Sequence, residues 1–225
     1  MEGITAIGRP REFDTEKALD QALNLFWSKG YEGTTLMDLI ESIGVLKPSL
    51  YAAFGSKEEL FLKALDRYKE RLGAAVSPAF ALPSARGSLE HYLRGLATFQ
   101  SAAGTPQGCL LVQGALVGSE ESNRVSKALC DSREQGFGII RSLLERAIKQ
   151  RELPRNTDID QLALYFNAVS HGISVQAVSG ISTEQLHNSI TIAMRSWPEV
   201  RSSSTAKKLA RRRIGSIRKP IKRKK

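Results

Sequence analysis

Apolar residues recur along this chain at helical spacing, and alternating strand-like runs are scarce. The first amphipathic stretch follows Asp14 and Thr15, either of which can cap it. It carries Ala18, Ala22, Leu25 and Phe26 on one face and stops at Gly30. Thr35 and Asp38 have the spacing of a capping box, and Leu36, Leu39, Ile40 and Ile43 follow at i, i+3, i+4 and i+7 before Gly44. Only Gly44-Val45-Leu46 precede a third, short helix with Pro48 in its first turn, Leu50 and Phe54 on its inner edge and Gly55 at its end. Ser56-Lys57-Glu58-Glu59 is a second capping box. It opens a longer helix over 56–72 that points Leu60, Phe61, Ala64, Leu65, Tyr68 and Leu72 inward.

Residues 73–87, rich in Ala, Pro, Ser and Gly, read as an irregular connection. Ser88 is expected to begin a helix reaching Ala103, and 104–108 to form a loop. A short apolar helix from Cys109 to Val117 and a long one from Ser122 to Arg151 come next. Gly136 and Gly138 inside the long helix cost about 1 kcal/mol each against Ala, so they mark close packing or a kink. Asp158 caps a helix to Ser179, and Ser182 with Gln185 caps a last one that ends before Pro198. The expected fold is all-α, with about nine helices and no internal repeat.

Two short helices joined by a tight, Gly-containing turn constitute a helix-turn-helix unit. With Leu50 and Phe54 inward, the third helix leaves Lys47, Ser49, Tyr51 and Ala52 on its outer side. Small groups such as Ser49 and Ala52 let a helix sit deep in a major groove, where its N-terminal residues reach base edges. Tyr51 can donate to a phosphate, and Lys57 stands at a helix N-terminus, where backbone amides and the dipole favour anions. By spacing alone, the same three helices also fit a plain packing unit with no role on DNA.

The residues themselves go further. Gly30-Tyr31-Glu32-Gly33-Thr34-Thr35, Ile43-Gly44-Val45 and the run from Lys47 to Leu60, together with the basic lead-in Gly8-Arg9-Pro10-Arg11, closely resemble the DNA-binding domain of the TetR/AcrR family of repressors. The resemblance covers about residues 8–70 and is looser beyond. It implies a helix-turn-helix domain over 8–55, a connecting helix 56–72, and a helical ligand-binding and dimerisation domain over 73–200. It also implies a homodimer on a double-stranded, inverted-repeat operator, with Arg9, Arg11, Thr35, Lys47, Pro48, Ser49, Tyr51, Ala52 and Lys57 at the DNA, and release when a small-molecule effector enters the C-terminal domain. Many members have Ser or Thr where this chain has Leu46, so a side-chain cap is missing there.

Within the C-terminal region, Phe99, Cys109, Gln113, Phe137, Tyr165, Asn167 and His171 are polar or aromatic groups on otherwise apolar helices. They are candidates to line an effector pocket, or to serve as ordinary core or interface residues. Cys109 could also act as a thiol sensor, although no cationic residue neighbours it in sequence. Leu162, Phe166, Val169 and Ile173, then Leu186, Ile190 and Met194, form two apolar stripes that would make a four-helix dimer interface or be buried within one protomer.

Charge changes the picture only at the end of the chain. The 225 residues hold 33 Lys and Arg against 23 Asp and Glu, a net of +10. Residues 201–225 alone carry 12 of the basic residues and no acid, which leaves residues 1–200 near neutral at −2. This basic tail reads as disordered in isolation. It fits either non-specific phosphate binding or a tolerated extension.

Two cysteines without a CxxC pair, no secretory leader and no bilayer-length apolar run predict a cytoplasmic protein with no membrane association. No metal or cofactor motif and no nucleophile elbow or phosphate loop is present, so an enzyme is not expected. The competing expectation is a nucleoid-type protein that holds DNA through its tail without sequence preference.

Overall fold

The computed structural model describes residues 14–113 and 123–200, and all regular structure among them is helical. The helices are α1 (Thr15–Lys29), α2 (Leu36–Ile43), α3 (Lys47–Phe54), α4 (Lys57–Val76), α5 (Ala85–Gln100), α6 (Leu110–Gln113), α7 (Asn123–Lys149), α8 (Ile159–Val178) and α9 (Thr183–Ala193). Their starts obey local chemistry. Asp14 accepts from the amides of Glu16 and Lys17 at 3.1 and 3.0 Å, which leaves Thr15 as the first helical residue. Thr35 with Asp38, Ser56 with Glu59 and Ser182 with Gln185 each form a reciprocal capping box. Gly44 turns the chain from α2 towards α3 in the left-handed conformation, φ 74° and ψ 36°, where a Cβ would be strained.

One expectation fails between 73 and 87. There α4 continues through Ala74-Ala75 to Val76, a 3₁₀ turn covers Ser77–Ala81, and α5 starts at Ala85 rather than Ser88. Ala74 and Ala75 are good helix formers, and burial of Val76 and Ala79 holds the turn against the body of the protein. Ser84 is the true cap, accepting from the Gly87 amide at 3.1 Å, while Glu152 takes the amides of Ala85 and Arg86 at 3.0 and 2.8 Å. Ser88 is instead fully buried and receives a hydrogen bond from Arg146. The helix expected from Cys109 starts at Leu110. Its continuation to Val117 lies outside the described residues, as do Gly8 to Arg11 and the basic tail.

Two apolar cores form. One joins α5, α7, α8 and α9 around Leu89, Leu93, Leu144, Phe166 and Ile190. The other joins α1–α4 around Leu23, Phe26, Trp27, Leu39, Phe61 and Tyr68. This second core also takes in Cys109, Leu110, Leu111, Val125 and Leu129 from α6 and the start of α7.

Trp27 is the hinge-pin of that union. Its ring stacks on Phe99 at 5.3 Å and meets Tyr68 edge-on at 4.8 Å, and its indole N–H donates to the Gly108 carbonyl at 3.0 Å. Gly108, at φ 82°, also donates its own N–H to the Gln100 carbonyl at 2.8 Å. A Cβ there would lie 2.3 Å from the Val178 side chain and 3.1 Å from the Ser174 carbonyl, so only glycine lets α1, α5 and α8 meet at this point.

Replacing Trp27 by Phe orphans the buried Gly108 carbonyl and opens a small void. Urea denaturation is expected to show a loss of about 2–3 kcal/mol, with the helical content of the folded state unchanged.

Candidate nucleic-acid interface and interior cavity

α3 is built as the sequence predicts. Leu50 and Phe54 are buried at 2% and 5% exposure, whereas Lys47, Pro48, Ser49, Tyr51 and Ala52 are all exposed. Leu46 precedes them without any side-chain cap and is 76% exposed, and Met37 of α2 is 61% exposed beside the exposed Thr35. The sequence reading overlooked Met37, although its place off the apolar stripe of α2 was a signal.

Thr35 is not a free hydroxyl. It donates to Asp38 Oδ2 at 2.6 Å and accepts from the Asp38 amide at 3.1 Å. Asp38 also pairs with Lys29 at 2.7 Å, and these contacts hold its carboxyl well below the usual carboxylate range. Lys57 is half-buried, with its ammonium 4.3 Å above the Tyr31 ring, and burial lowers its pKa. Lys47 reaches towards the Tyr51 ring at 5.7 Å and stays in the open. Arg9 and Arg11 lie outside the described residues.

Ion pairs fix this head to the rest of the chain. Arg67 and Arg71 of α4 hold Asp20 of α1 at 3.2 and 2.6 Å, and Arg124 at the start of α7 holds Glu58 at 2.6 Å.

Deeper in the chain, α4, α5, α7 and α8 with the 109–112 segment line a cavity of about 180 Å³, open to solvent beside the exposed Gly73 and Gln135. Three of the predicted pocket residues, Cys109, Asn167 and His171, line it, and four do not. Phe99 is taken by the Trp27 stack. Gln113 donates to the Gln107 carbonyl at 3.0 Å and faces a separate recess by Gly30. Phe137 packs on the C-terminal core, and Tyr165 is 41% exposed.

Arg133 and Gln100 line the cavity and escaped the sequence reading. Gln100 shares a helical stripe with Leu93, Leu96 and Ala97, and Arg133 one with Leu129, Gly136 and Ile140, so each was a polar residue on an inward face. Cys109 is buried. Tyr68 donates its hydroxyl to Sγ at 3.2 Å, and burial nonetheless pushes the thiol up, away from the reactive thiolate. Burial raises Tyr92 to about 12. Burial and then the Arg133 charge lower His171, keeping its ring neutral. Among the described residues no His, Cys, Asp and Glu cluster is suited to a metal ion.

The residues assigned from sequence to a dimer interface lie elsewhere. Phe166, Ile173, Leu186, Ile190 and Met194 belong to the protomer's own core, and Leu162 and Val169 pack against it. Both faces of α8 carry apolar residues, and the stripe named from the sequence is the inward one. The outward faces of α8 and α9 show Leu164, Tyr165, Val175, Val178 and Ile192, at 41–63% exposure.

The chain matches two family models. One, for bacterial regulatory proteins of the tetR family, covers residues 18–64, and the other, a tetracyclin repressor-like C-terminal domain, covers 86–196. ComR, an HTH-type transcriptional repressor of Escherichia coli K12, is 33% identical over 195 residues, spanning 86% of this chain and 93% of ComR. The HTH-type transcriptional regulator YezE of Bacillus subtilis 168 is 30% identical over 202 residues, 84% of this chain and 98% of YezE. Among solved structures, a triple cysteine mutant of the TetR family regulator CifR, complexed with 26-bp operator DNA, superimposes with a TM-score of 0.79 at 38% identity. That likeness covers 85% of this chain and all of the other.

Two measurements check the cavity chemistry. A bulky anionic disulfide reagent is expected to modify the exposed Cys130 in the native protein and to reach Cys109 only after denaturation. His171 has a folded pKa below its unfolded value, so the unfolded chain binds the extra proton and stability falls as pH drops below about 6.5. The melting temperature of the wild type relative to that of His171→Asn should therefore fall as pH drops through that window.

Proposed function

Because the chain belongs to the TetR family of bacterial regulatory proteins, we propose that it is a homodimeric transcriptional repressor whose hold on an inverted-repeat operator is released by a small molecule in the C-terminal cavity. The observation that carries this is α3: two buried anchors, an outward face of Lys47, Ser49, Tyr51 and Ala52, and a frame fixed by capping boxes on α2 and α4. Small outer side chains suit close approach to a major groove, while Lys47 and the Tyr51 hydroxyl suit phosphate contact. Thr35, Pro48 and Lys57 complete the contact surface, with Arg9 and Arg11 reaching the DNA from the N-terminal lead-in.

The partner protomer covers the outward faces of α8 and α9, where Leu164, Tyr165, Val175, Val178 and Ile192 are exposed together. Release works through α4. Its first turns belong to the core beneath α3, and its last turns, with Lys69, Leu72, Gly73 and Val76, line the cavity. A ligand that favours one position of α4 shifts the spacing of the two recognition helices, which on DNA must sit about 34–36 Å apart. No helix among the described residues is long and apolar enough to cross a membrane, and we place the protein in the cytoplasm with its operator.

Selection of sites by the full chain from random duplex DNA at physiological salt is expected to return a shared inverted repeat. Unselective retention of all duplexes would instead assign binding to the tail. Ala52→Glu should abolish selection. Lys47→Ala should leave the selected sequence unchanged and flatten the salt dependence of affinity by about 0.9 in log–log slope for each phosphate that is no longer neutralised. Val175→Glu or Ile192→Glu should give a folded monomer in analytical ultracentrifugation, with operator affinity abolished.

A further inference from the structure

The cavity is not a neutral apolar hole. Among the described residues, no carboxylate lines it, and its polar wall groups include two cations, Lys69 and Arg133. Lys69 is already paired with Asp66 at 2.7 Å. Arg133 is not. Among the described residues its guanidinium makes one hydrogen bond, Nη1 to the Leu111 carbonyl at 2.9 Å, and no ion pair, although the residue is only partly exposed. A guanidinium has five N–H donors, so most of its capacity is free of protein partners among the described residues. Its field already opposes a second positive charge there, since Arg133 helps keep the ring of His171 neutral.

A second, independent observation is Gln100. This residue is 2% exposed, lines the same cavity, and leaves its Oε1 buried without a hydrogen-bond partner among the described residues. An orphaned buried acceptor is costly, and a ligand that brings a donor to it recovers that loss.

We infer that the effector of this chain is a small hydroxylated carboxylic acid. Its carboxylate is held by Arg133, its hydroxyl donates to Gln100, and its apolar body fills the space lined by Leu72, Val76, Leu96 and Ile140. This inference rests on the reading of the cavity as the effector site. The part of the body inside the cavity is about one ring or a short chain, because the cavity measures about 180 Å³ and one of about 150 Å³ accepts benzene. Arg133 favours a carboxylate over a neutral amide or a cationic head because its planar fork matches two anionic oxygens at once.

The test uses the full chain and four matched probes: para-hydroxybenzoate, its neutral amide para-hydroxybenzamide, the cationic para-hydroxybenzylamine, and benzoate, which lacks the hydroxyl. Binding is read by isothermal titration calorimetry and thermal shift, and operator release by fluorescence anisotropy. The hydroxy acid is expected to bind at least about tenfold more tightly than the amide, as loss of a charge-assisted pair implies, and the amine not at all. Benzoate should fall between the acid and the amine. Arg133→Gln should remove the preference for acid over amide while the amide binds within about twofold of its wild-type affinity, which also shows that the cavity survives the change. Gln100→Leu should bring hydroxybenzoate down to the level of benzoate.

Equal binding of acid and amide, tighter binding of the amine, or no binding by any probe at millimolar concentration overturns the inference. If the variant fails to fold, the order of the four probes on the wild type decides alone. Binding in the expected order with the operator still held supports the ligand class and counts against release as the proposed function. Release by the neutral amide alone supports release and sinks the carboxylate.

Discussion

Contact between Trp27 and Gly108 governs how the two halves of the molecule meet. An indole N–H buried between domains must find an acceptor, and a carbonyl on a loop that passes under α8 must find a donor. Each satisfies the other. The geometry works only because residue 108 has no side chain where Val178 and Ser174 approach. Around this point Phe99 and Tyr68 complete an aromatic cluster drawn from α1, α4 and α5, and the Tyr68 hydroxyl extends it to Cys109. Head and body are therefore joined by a packed, hydrogen-bonded knot as well as by the continuous helix α4.

That arrangement makes the cavity and the DNA-facing helix neighbours in mechanics, though not in space. Cys109, Leu111 and Val112 touch the cavity on one side and the core of α1–α4 on the other. Interiors at crystal-like packing density transmit small displacements instead of absorbing them. The ion pairs from Arg67 and Arg71 to Asp20 and from Arg124 to Glu58 stiffen the same path at its surface. Partly exposed pairs of this kind add little stability each, so their part is alignment.

What the sequence made legible was whatever is decided within four residues. Asp14, Thr35 with Asp38, Ser56 with Glu59, Asp158 and Ser182 with Gln185 cap the helices they were expected to cap, because those bonds are local. The inward and outward sides of α3 were equally plain from Leu50 and Phe54. The 73–87 stretch misled because its composition signals a loop, while burial of Val76 and Ala79 and the long-range bonds from Glu152 fix helix and turn there. On α8 the period shows two apolar stripes and cannot tell which is turned inward. Arg133 and Gln100 become a pair only when α7 and α5 converge on one cavity, which no local pattern records.

The sharing of the N-terminal core has a consequence for how the chain is made. Residues 14–72 leave the ribosome first, yet the core they surround stays incomplete until Cys109, Leu110, Leu111, Val125 and Leu129 have been synthesised. Until then Leu23, Trp27 and Tyr68 lack much of their cover. The core beneath α3 is thus completed late, through contacts distant in sequence, at a stage when exposed apolar surface invites aggregation. A nascent chain that stalls before α7 holds α3 on an unfinished core.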